Sequence, residues 1–245
     1  MECPKCGHPR EAGEIACSSC GLVFHKYEAY LERLEAVEAS ARDTDAGEGG
    51  RWSSLGRELL APPVAARQFF WPCLGLWLVF VVWGWSYMLQ DIDALGHRPG
   101  FLHSVNLPFH EAGHVIFGLF GQFIGSLGGT LAQLLMPVIC GVALLWQRQD
   151  TFGASLCLWW FGQNFLDIAP YMADARAGEL PLLGGNYGKS SPYGFHDWEF
   201  ILGETGLLAY DTTLAAVTLN AGRAIMLAAM AWGLLLLWRA RPARA

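Results

Sequence analysis

Long apolar stretches restrict this chain more than any other feature of its sequence. The segment from Phe69 to Leu89 contains no charged residue, and about 20 such residues suffice for a helix to cross the hydrocarbon core of a bilayer. Over the whole chain, 53% of the 245 residues are hydrophobic and only 16% are charged. This composition indicates a membrane protein rather than a soluble domain built around one large core.

Four further apolar stretches follow the first one. They cover residues 106–125, 127–147, 152–174 and 212–238. We expect helices in all of them, because a backbone in lipid must satisfy its hydrogen bonds within the segment. The predicted fold class is therefore mainly α, a polytopic helical membrane bundle of about five spans, with four or six spans as the alternatives.

Positive charges near the spans bear on orientation in the membrane. Arg51, Arg57 and Arg67 precede the first span, and the positive-inside rule then favours a cytoplasmic N-terminus. The arginines within residues 239–244 favour the cytoplasm as well, and five full crossings cannot satisfy both ends. The number of crossings and the side of the C-terminus therefore stay open. We expect an integral protein of the bacterial inner (plasma) membrane.

Four cysteines near the N-terminus form two Cys-x2-Cys pairs. Cys3 and Cys6 make the first pair, Cys17 and Cys20 make the second, and ten residues separate the pairs. Each pair can form a tight knuckle, and the four thiolates together can complete a tetrahedral site for a structural Zn²⁺. Two disulfides, or thiols without a role, are the alternatives. Because about 25 residues cannot bury enough surface to fold alone, the metal would supply the folding energy.

The domain organisation follows from this cluster and from the first span. We expect a zinc ribbon over residues 1–25, an amphipathic helix and linker over 26–66, and a membrane-embedded domain over 67–245. Gly7 and Gly21 each follow the second cysteine of a pair, where glycine suits the turn of a knuckle. The sequence has no basic patch that would indicate a nucleic-acid partner, so we expect none. The ribbon could instead contact a cytoplasmic protein.

The second apolar stretch contains three ionisable side chains in the order His-Glu-x-x-His. His110 and His114 lie four residues apart, so a helix places both imidazoles on one face, where they can bind one metal. Glu111 can then act as a general base. An ionisable group in a bilayer costs roughly 2–3 kcal/mol or more without a partner, and a bound cation is such a partner. Solvated, inert residues at the membrane surface are the alternative.

A catalytic zinc usually takes three protein ligands, so the two histidines need a third residue from elsewhere. Asp167 is the first candidate, because a carboxylate inside an apolar helix needs a metal or a cationic partner. Asp174 is the second, although a surface ion pair with Arg176 explains it equally well. His196, in the loop sequence FHDWEF, is the third candidate.

Other polar residues in the apolar stretches have weaker predicted roles. Gln133 and Asn164 could hold a substrate backbone or an oxyanion, and a packing hydrogen bond between helices is the alternative for Gln133. Asn106 predicts the start of the helix that carries the two histidines. We expect His97 and His103 to be loop residues.

This arrangement resembles the site-2 protease family of intramembrane zinc metalloproteases. The sequence HEAGH matches the family's His-Glu-x-x-His, NFLDIAP is similar to its Asn-containing Leu-Asp-Gly segment, and GGTLAQ resembles its Gly-Pro-x-x-Asn stretch. Ile168 stands where the family has glycine, and no PDZ-like domain is inserted. The resemblance is confined to the core, from Asn106 to Asp174.

The resemblance implies a three-helix core and the hydrolysis of peptide bonds in membrane or membrane-proximal proteins. His110, His114 and Asp167 would hold the catalytic zinc, and Glu111 would be the general base. The cofactors would be one catalytic and one structural Zn²⁺, and the partners a membrane protein substrate and the lipid bilayer. The polar loop at 184–200 would gate the site. The alternatives are a non-proteolytic membrane metal-binding or transport protein, and a zinc-ribbon adaptor with a membrane anchor.

Overall fold

The computed structural model divides the chain into two compact units, Met1–Leu59 and Leu60–Ala245. It describes residues 2–9, 14–42, 56–183, 185, 187–190 and 196–242, with side chains of α1 described up to residue 33.

Two expectations fall partly outside these residues. The predicted linker includes residues 43–55, and the predicted gate includes residues 184, 186 and 191–195, none of which the structure describes.

In the first unit, two similar turns precede the helix α1 (Phe24–Arg42). In each turn, the first cysteine of a pair accepts a backbone hydrogen bond of 2.8 Å from the glycine that follows the second cysteine. These glycines, Gly7 and Gly21, have φ angles of +72° and +71°, which glycine adopts without strain. The turns therefore have the conformation for which the two Cys-x2-Cys-Gly sequences are suited.

The second unit is mainly helical, which confirms the mainly α part of the predicted class. Its long helices are α3 (Phe70–Met88), α5 (Phe101–Phe117), α6 (Gln122–Ala143), α7 (Thr151–Ala173) and α9 (Asp211–Ala240), and its short helices include α2 (Val64–Gln68), α4 (Ile92–His97) and α8 (Asp197–Glu204).

Among the residues that the structure describes, three helical segments of this unit are long and apolar enough to cross a membrane. They are Phe70–Met88, Gln122–Arg148 and Leu208–Ala240. Their length and composition are compatible with a membrane protein. The expected number of about five spans stays a prediction.

Helix α5 begins earlier than its sequence predicts. Gly100 precedes the helix in extended conformation, and Pro108 lies inside it, so Asn106 is an interior residue rather than the helix start. Proline removes one backbone donor from the helix, but the helix continues through it to Phe117. His103 therefore belongs to the first turn of α5 and His97 ends α4, which corrects the expectation that both are loop residues.

Close helix packing around glycines brings α5 next to α6, and α7 next to α9. A Cβ on Gly128 would lie 2.5 Å from Cβ of Phe117, and a Cβ on Gly113 would overlap the carbonyl of Gly128. On the other pair, a Cβ on Gly222 would lie 2.6 Å from the carbonyl oxygen of Gly162. Small residues permit such backbone approach between helices. The α5–α6 contact lies beside the candidate site.

Candidate metal centre

Three side chains converge where helix α8 begins. His110 Nε2 lies 3.4 Å from Asp197 Oδ2, and His114 Nε2 lies 3.3 Å from the same oxygen. One ligand atom from each residue lies within 4.8 Å of the others. Two ligand atoms about 2.0–2.1 Å from a tetrahedral zinc are about 3.3 Å apart. The two measured distances therefore fit a metal held by His110, His114 and Asp197.

The other ring nitrogen of each histidine has a hydrogen-bond acceptor. His110 Nδ1 lies 2.8 Å from Oε1 of Gln133, and His114 Nδ1 lies 2.8 Å from the carbonyl oxygen of Gly125. Because oxygen accepts in both contacts, the proton of a neutral imidazole sits on Nδ1 and leaves Nε2 as the lone-pair donor. Such outer hydrogen bonds orient metal-binding histidines.

Gln133, which also lines the cavity, and Asn164 support His110 through hydrogen bonds. The Gln133 amide donates a hydrogen bond of 3.2 Å to Oδ1 of Asn164, whose own amide donates to the carbonyl of Trp160 at 3.0 Å. Both residues are almost fully buried. These hydrogen bonds therefore form a chain that ends on a candidate metal ligand, and the expected substrate or oxyanion role of the two residues stays a prediction.

Asp197 is anchored by helix α7. The Tyr171 hydroxyl accepts a hydrogen bond from the backbone N–H of Asp197 and donates one to its Oδ2, each at 3.2 Å. Without a metal, burial raises the pKa of the Asp197 carboxyl, but hydrogen bonds from Nε2–H groups of His110 and His114 outweigh burial and lower the pKa to about 2. A bound metal would take the place of those protons on the two Nε2 atoms. The side chain is therefore a carboxylate, the form that binds metal.

Asp167, the first candidate for the third ligand, bonds to other residues. Its Oδ1 lies 2.9 Å from His103 Nδ1, and its Oδ2 accepts a hydrogen bond of 3.1 Å from the Asn106 amide. It lines the same cavity as the converging side chains but is not one of the three. The structure thus brings Asp197 to the histidines, where the sequence predicts Asp167.

Asp174, the second candidate, caps the loop that follows α7. Its carboxylate accepts backbone hydrogen bonds from Glu179 at 2.8 Å and from Leu180 at 2.9 Å. The expected alternative, an ion pair between Asp174 and Arg176, is not formed, because Arg176 makes a two-pronged contact with Asp211.

His196, the third candidate, caps the helix that Asp197 opens. Its Nδ1 accepts a hydrogen bond of 3.3 Å from the backbone of Glu199, and its ring stacks on Tyr171 at 4.1 Å between centroids. Its Nε2 lies 3.5 Å from Oδ2 of Asp174, at the upper limit of a hydrogen bond. The sequence candidate His196 is therefore one residue away from Asp197, the residue that lies beside His110 and His114. The sequence signal for Asp197 is a carboxylate directly after a helix-capping residue.

Glu111 lines a cavity of about 880 Å³ together with the three converging residues. Its side chain is half-buried, and its carboxylate has no hydrogen-bond partner among the residues that the structure describes. The carboxylate is therefore free to accept a proton from water beside the site.

Gly129 of helix α6 makes room for the two metal-facing nitrogens. A Cβ on this residue would lie 2.5 Å from His110 Nε2 and 2.6 Å from His114 Nε2, closer than van der Waals contact. Any other residue would fill the space where the histidines and Asp197 converge. The absence of a side chain at this position therefore fits a metal in that space.

The N-terminal cysteines form a second candidate metal centre. Sγ of Cys3 lies 3.7 Å from that of Cys20, and Sγ of Cys6 lies 3.7 Å from that of Cys17; all four are free thiols. Two thiolates about 2.3 Å from a tetrahedral zinc are about 3.8 Å apart. The cluster therefore fits a four-thiolate metal site.

Comparisons with known proteins add no relative. No family model, curated protein or solved structure matches this chain. The resemblance to site-2 proteases therefore depends on the motif residues alone.

Proposed function

We propose that this chain is a membrane-embedded zinc metalloprotease that hydrolyses peptide bonds in membrane or membrane-proximal proteins. The observation that carries the proposal is the convergence of His110, His114 and Asp197, with Glu111 lining the same cavity. Two histidines and one carboxylate leave a coordination position of zinc open, as catalytic zinc sites require. A closed site, such as the four-thiolate cluster, has no open position and would serve as structure.

Each side chain has a defined task in this proposal. Zinc, when bound, supplies a Lewis acid that polarises a peptide carbonyl and makes water more acidic. The Glu111 carboxylate accepts the proton of the attacking water and passes it to the nitrogen of the leaving amine. Gln133 and Tyr171 hold His110 and Asp197 in position through the contacts described above. The protein thus pre-orients the ligands and supplies the proton carrier.

The surroundings of the site favour a membrane-associated substrate. Three helical segments in the described part of the chain are long and apolar enough to cross a bilayer. Several ionisable side chains line the cavity beside the site, and such side chains would favour water there. A substrate helix would have to unwind locally, because a helical backbone engages its own carbonyls in hydrogen bonds. We place the ribbon on the cytoplasmic side of the bacterial plasma membrane, where thiols stay reduced.

The test of the catalytic proposal is the Glu111→Gln variant of the full-length, detergent-purified chain. We expect it to bind as much zinc as the wild type and to cleave a synthetic membrane peptide at least about 100-fold more slowly, because the general base is lost. Glu179→Gln is the matched control, since Glu179 lines the same cavity but pairs with Lys189 at 2.9 Å. Cleavage by Glu111→Gln at the wild-type rate would contradict the proposal.

Metal content separates the proposal from the two alternatives of the sequence analysis. We expect two zinc ions per chain, falling to one when both His110 and His114 are replaced by alanine. One ion, unchanged by that replacement, would favour a zinc-ribbon adaptor with a membrane anchor. Two ions without any chelator-sensitive peptide cleavage would favour a non-proteolytic metal-binding or transport protein.

A further inference from the structure

A second pair of a histidine and a carboxylate lines the cavity beside the candidate metal centre. His103 Nδ1 lies 2.9 Å from Asp167 Oδ1, so the ring donates the hydrogen bond and the carboxylate accepts it. The side chain of His103 is 41% exposed and that of Asp167 is 12% exposed, and both border the cavity. The acid therefore lies behind the imidazole, and the imidazole has the more accessible position.

Buried polar groups hold the acid of this pair in place. The Asn106 amide donates hydrogen bonds of 3.1 Å to both Asp167 Oδ2 and Gln163 Oε1, and the Asn106 carbonyl accepts one of 2.9 Å from the Trp160 indole. Asn106 is 1% exposed. A buried network with its partners in place rigidifies the groups at its edge, so the ring of His103 has a defined orientation.

The distance from His103 to the candidate metal ligand His110 suits a bound peptide. His103 and His110 are seven residues apart on α5, which corresponds to two turns and about 10 Å along the same helix face. An extended peptide advances about 3.3 Å per residue, so about three residues cover that distance. Nε2 of His103 has no hydrogen-bond partner among the described residues, and it is therefore available to a ligand.

We propose that His103, oriented by Asp167, binds a backbone carbonyl of the substrate about three residues from the cleaved bond. The inference rests on the proposed peptidase function and adds a binding position to it. The Asp167 carboxylate stabilises a positive charge on the ring, and an imidazolium donates from both nitrogens. The remaining donor, Nε2–H, would then select an oxygen acceptor, which every peptide unit supplies.

A synthetic membrane peptide with single thioamide replacements tests this binding position. Each variant peptide replaces one backbone carbonyl, at two to four residues on either side of the cleaved bond, by a poorer hydrogen-bond acceptor. We expect wild-type kcat/KM to fall about tenfold for one position near the third residue, the size of one charge-assisted hydrogen bond. His103→Ala should cleave the unmodified peptide about tenfold more slowly and lose nothing further at that position.

Three controls separate binding from folding and from metal loading. His103→Ala should keep the wild-type zinc content, and His103→Gln, which retains a donor, should recover part of the lost kcat/KM. His97→Ala is the matched control, because His97 lines the same cavity but its Nδ1 lies 2.9 Å from the backbone carbonyl of Asp93 instead of an acid. It should leave the thioamide pattern unchanged.

A binding measurement distinguishes failure of this inference from failure of the proposed function. The unmodified peptide is titrated into zinc-loaded Glu111→Gln with and without His103→Ala, and we expect about tenfold weaker binding without His103. Equal cleavage and equal binding with and without His103 would overturn the binding position and leave the peptidase proposal intact. A peptide that wild type neither cleaves nor binds would overturn both.

Discussion

His196 and Asp197 are neighbours in the chain, yet their side chains enter different surroundings. His196 is buried between Tyr171 and Asp174, where it caps helix α8. Asp197, the first residue of that helix, has its Oδ2 within 3.4 Å of a ring nitrogen of both His110 and His114. At the start of α8, His196 therefore has a structural role as the cap, and the next residue, Asp197, is a candidate metal ligand.

This separation predicts which carboxylate completes the metal centre. Asp197→Asn should weaken zinc binding at the histidine site by more than about 100-fold, because loss of a ligand exceeds the 10–100-fold effect of losing an outer partner. Zinc content and affinity, measured on purified protein with the ribbon site intact, give the result.

Asp167→Asn and Asp174→Asn provide the comparison, since each removes a carboxylate that the sequence also offers as a third ligand. Both should retain zinc at the histidine site, because their carboxylates bond to His103 and to the loop backbone instead. Loss of zinc in Asp167→Asn with retention in Asp197→Asn would show that the ligand set described here is incorrect.

The hydroxyl of Tyr171 should matter for metal affinity without being a ligand. Tyr171→Phe removes the hydrogen bond to Asp197 Oδ2 and the acceptor for its backbone N–H, so we expect zinc binding about 10–100-fold weaker. Competition with a chelator of known affinity measures the change. Tyr210→Phe is the control, because Tyr210 is 58% exposed; an equal loss in both variants would indicate a general effect on folding.

Gly129 should be irreplaceable at the metal centre. Gly129→Ala would place a methyl group 2.5 Å and 2.6 Å from the two Nε2 atoms, so the imidazoles must move and zinc should be lost. Gly75→Ala is the matched control, since a Cβ on this helical glycine meets nothing within 4 Å. Circular dichroism should show wild-type helix content in both. Zinc retained by Gly129→Ala at wild-type affinity would rule out a metal at this position.

Much of the architecture could be predicted because its causes are local. Apolar stretches long enough for membrane helices follow from composition alone, and each of the five expected stretches overlaps a long helix. The boundary between the second and third stretches was misplaced, because α5 ends at Phe117 and α6 already begins at Gln122. The four-residue spacing of His110 and His114 places them on one face of any helix. The turns at Gly7 and Gly21 likewise need only their own short sequences.

The partners of the polar residues around the site could not be predicted, because they lie on other helices and not in the same stretch of sequence. The apolar surroundings of Asp167 predict that its carboxylate needs a partner. That partner is His103, which lies on α5 because the helix begins at Phe101. Gln133 and Asn164 are unusual polar residues in the sequence, but only the packing of α6 against α5 and α7 connects them to His110.

The sequence by itself determined the helices, the two histidines with their glutamate, and the cysteine knuckles, since each is a pattern within a few residues. Only the tertiary structure pointed to Asp197 as the candidate third ligand, because Asp197 reaches His110 across 87 positions of sequence. That contact requires α8 to pack against α6 and α7, and Tyr171 of α7 then directs the carboxylate to the histidines. The spacing of residues along the chain does not predict this contact, because it arises from the packing of three helices.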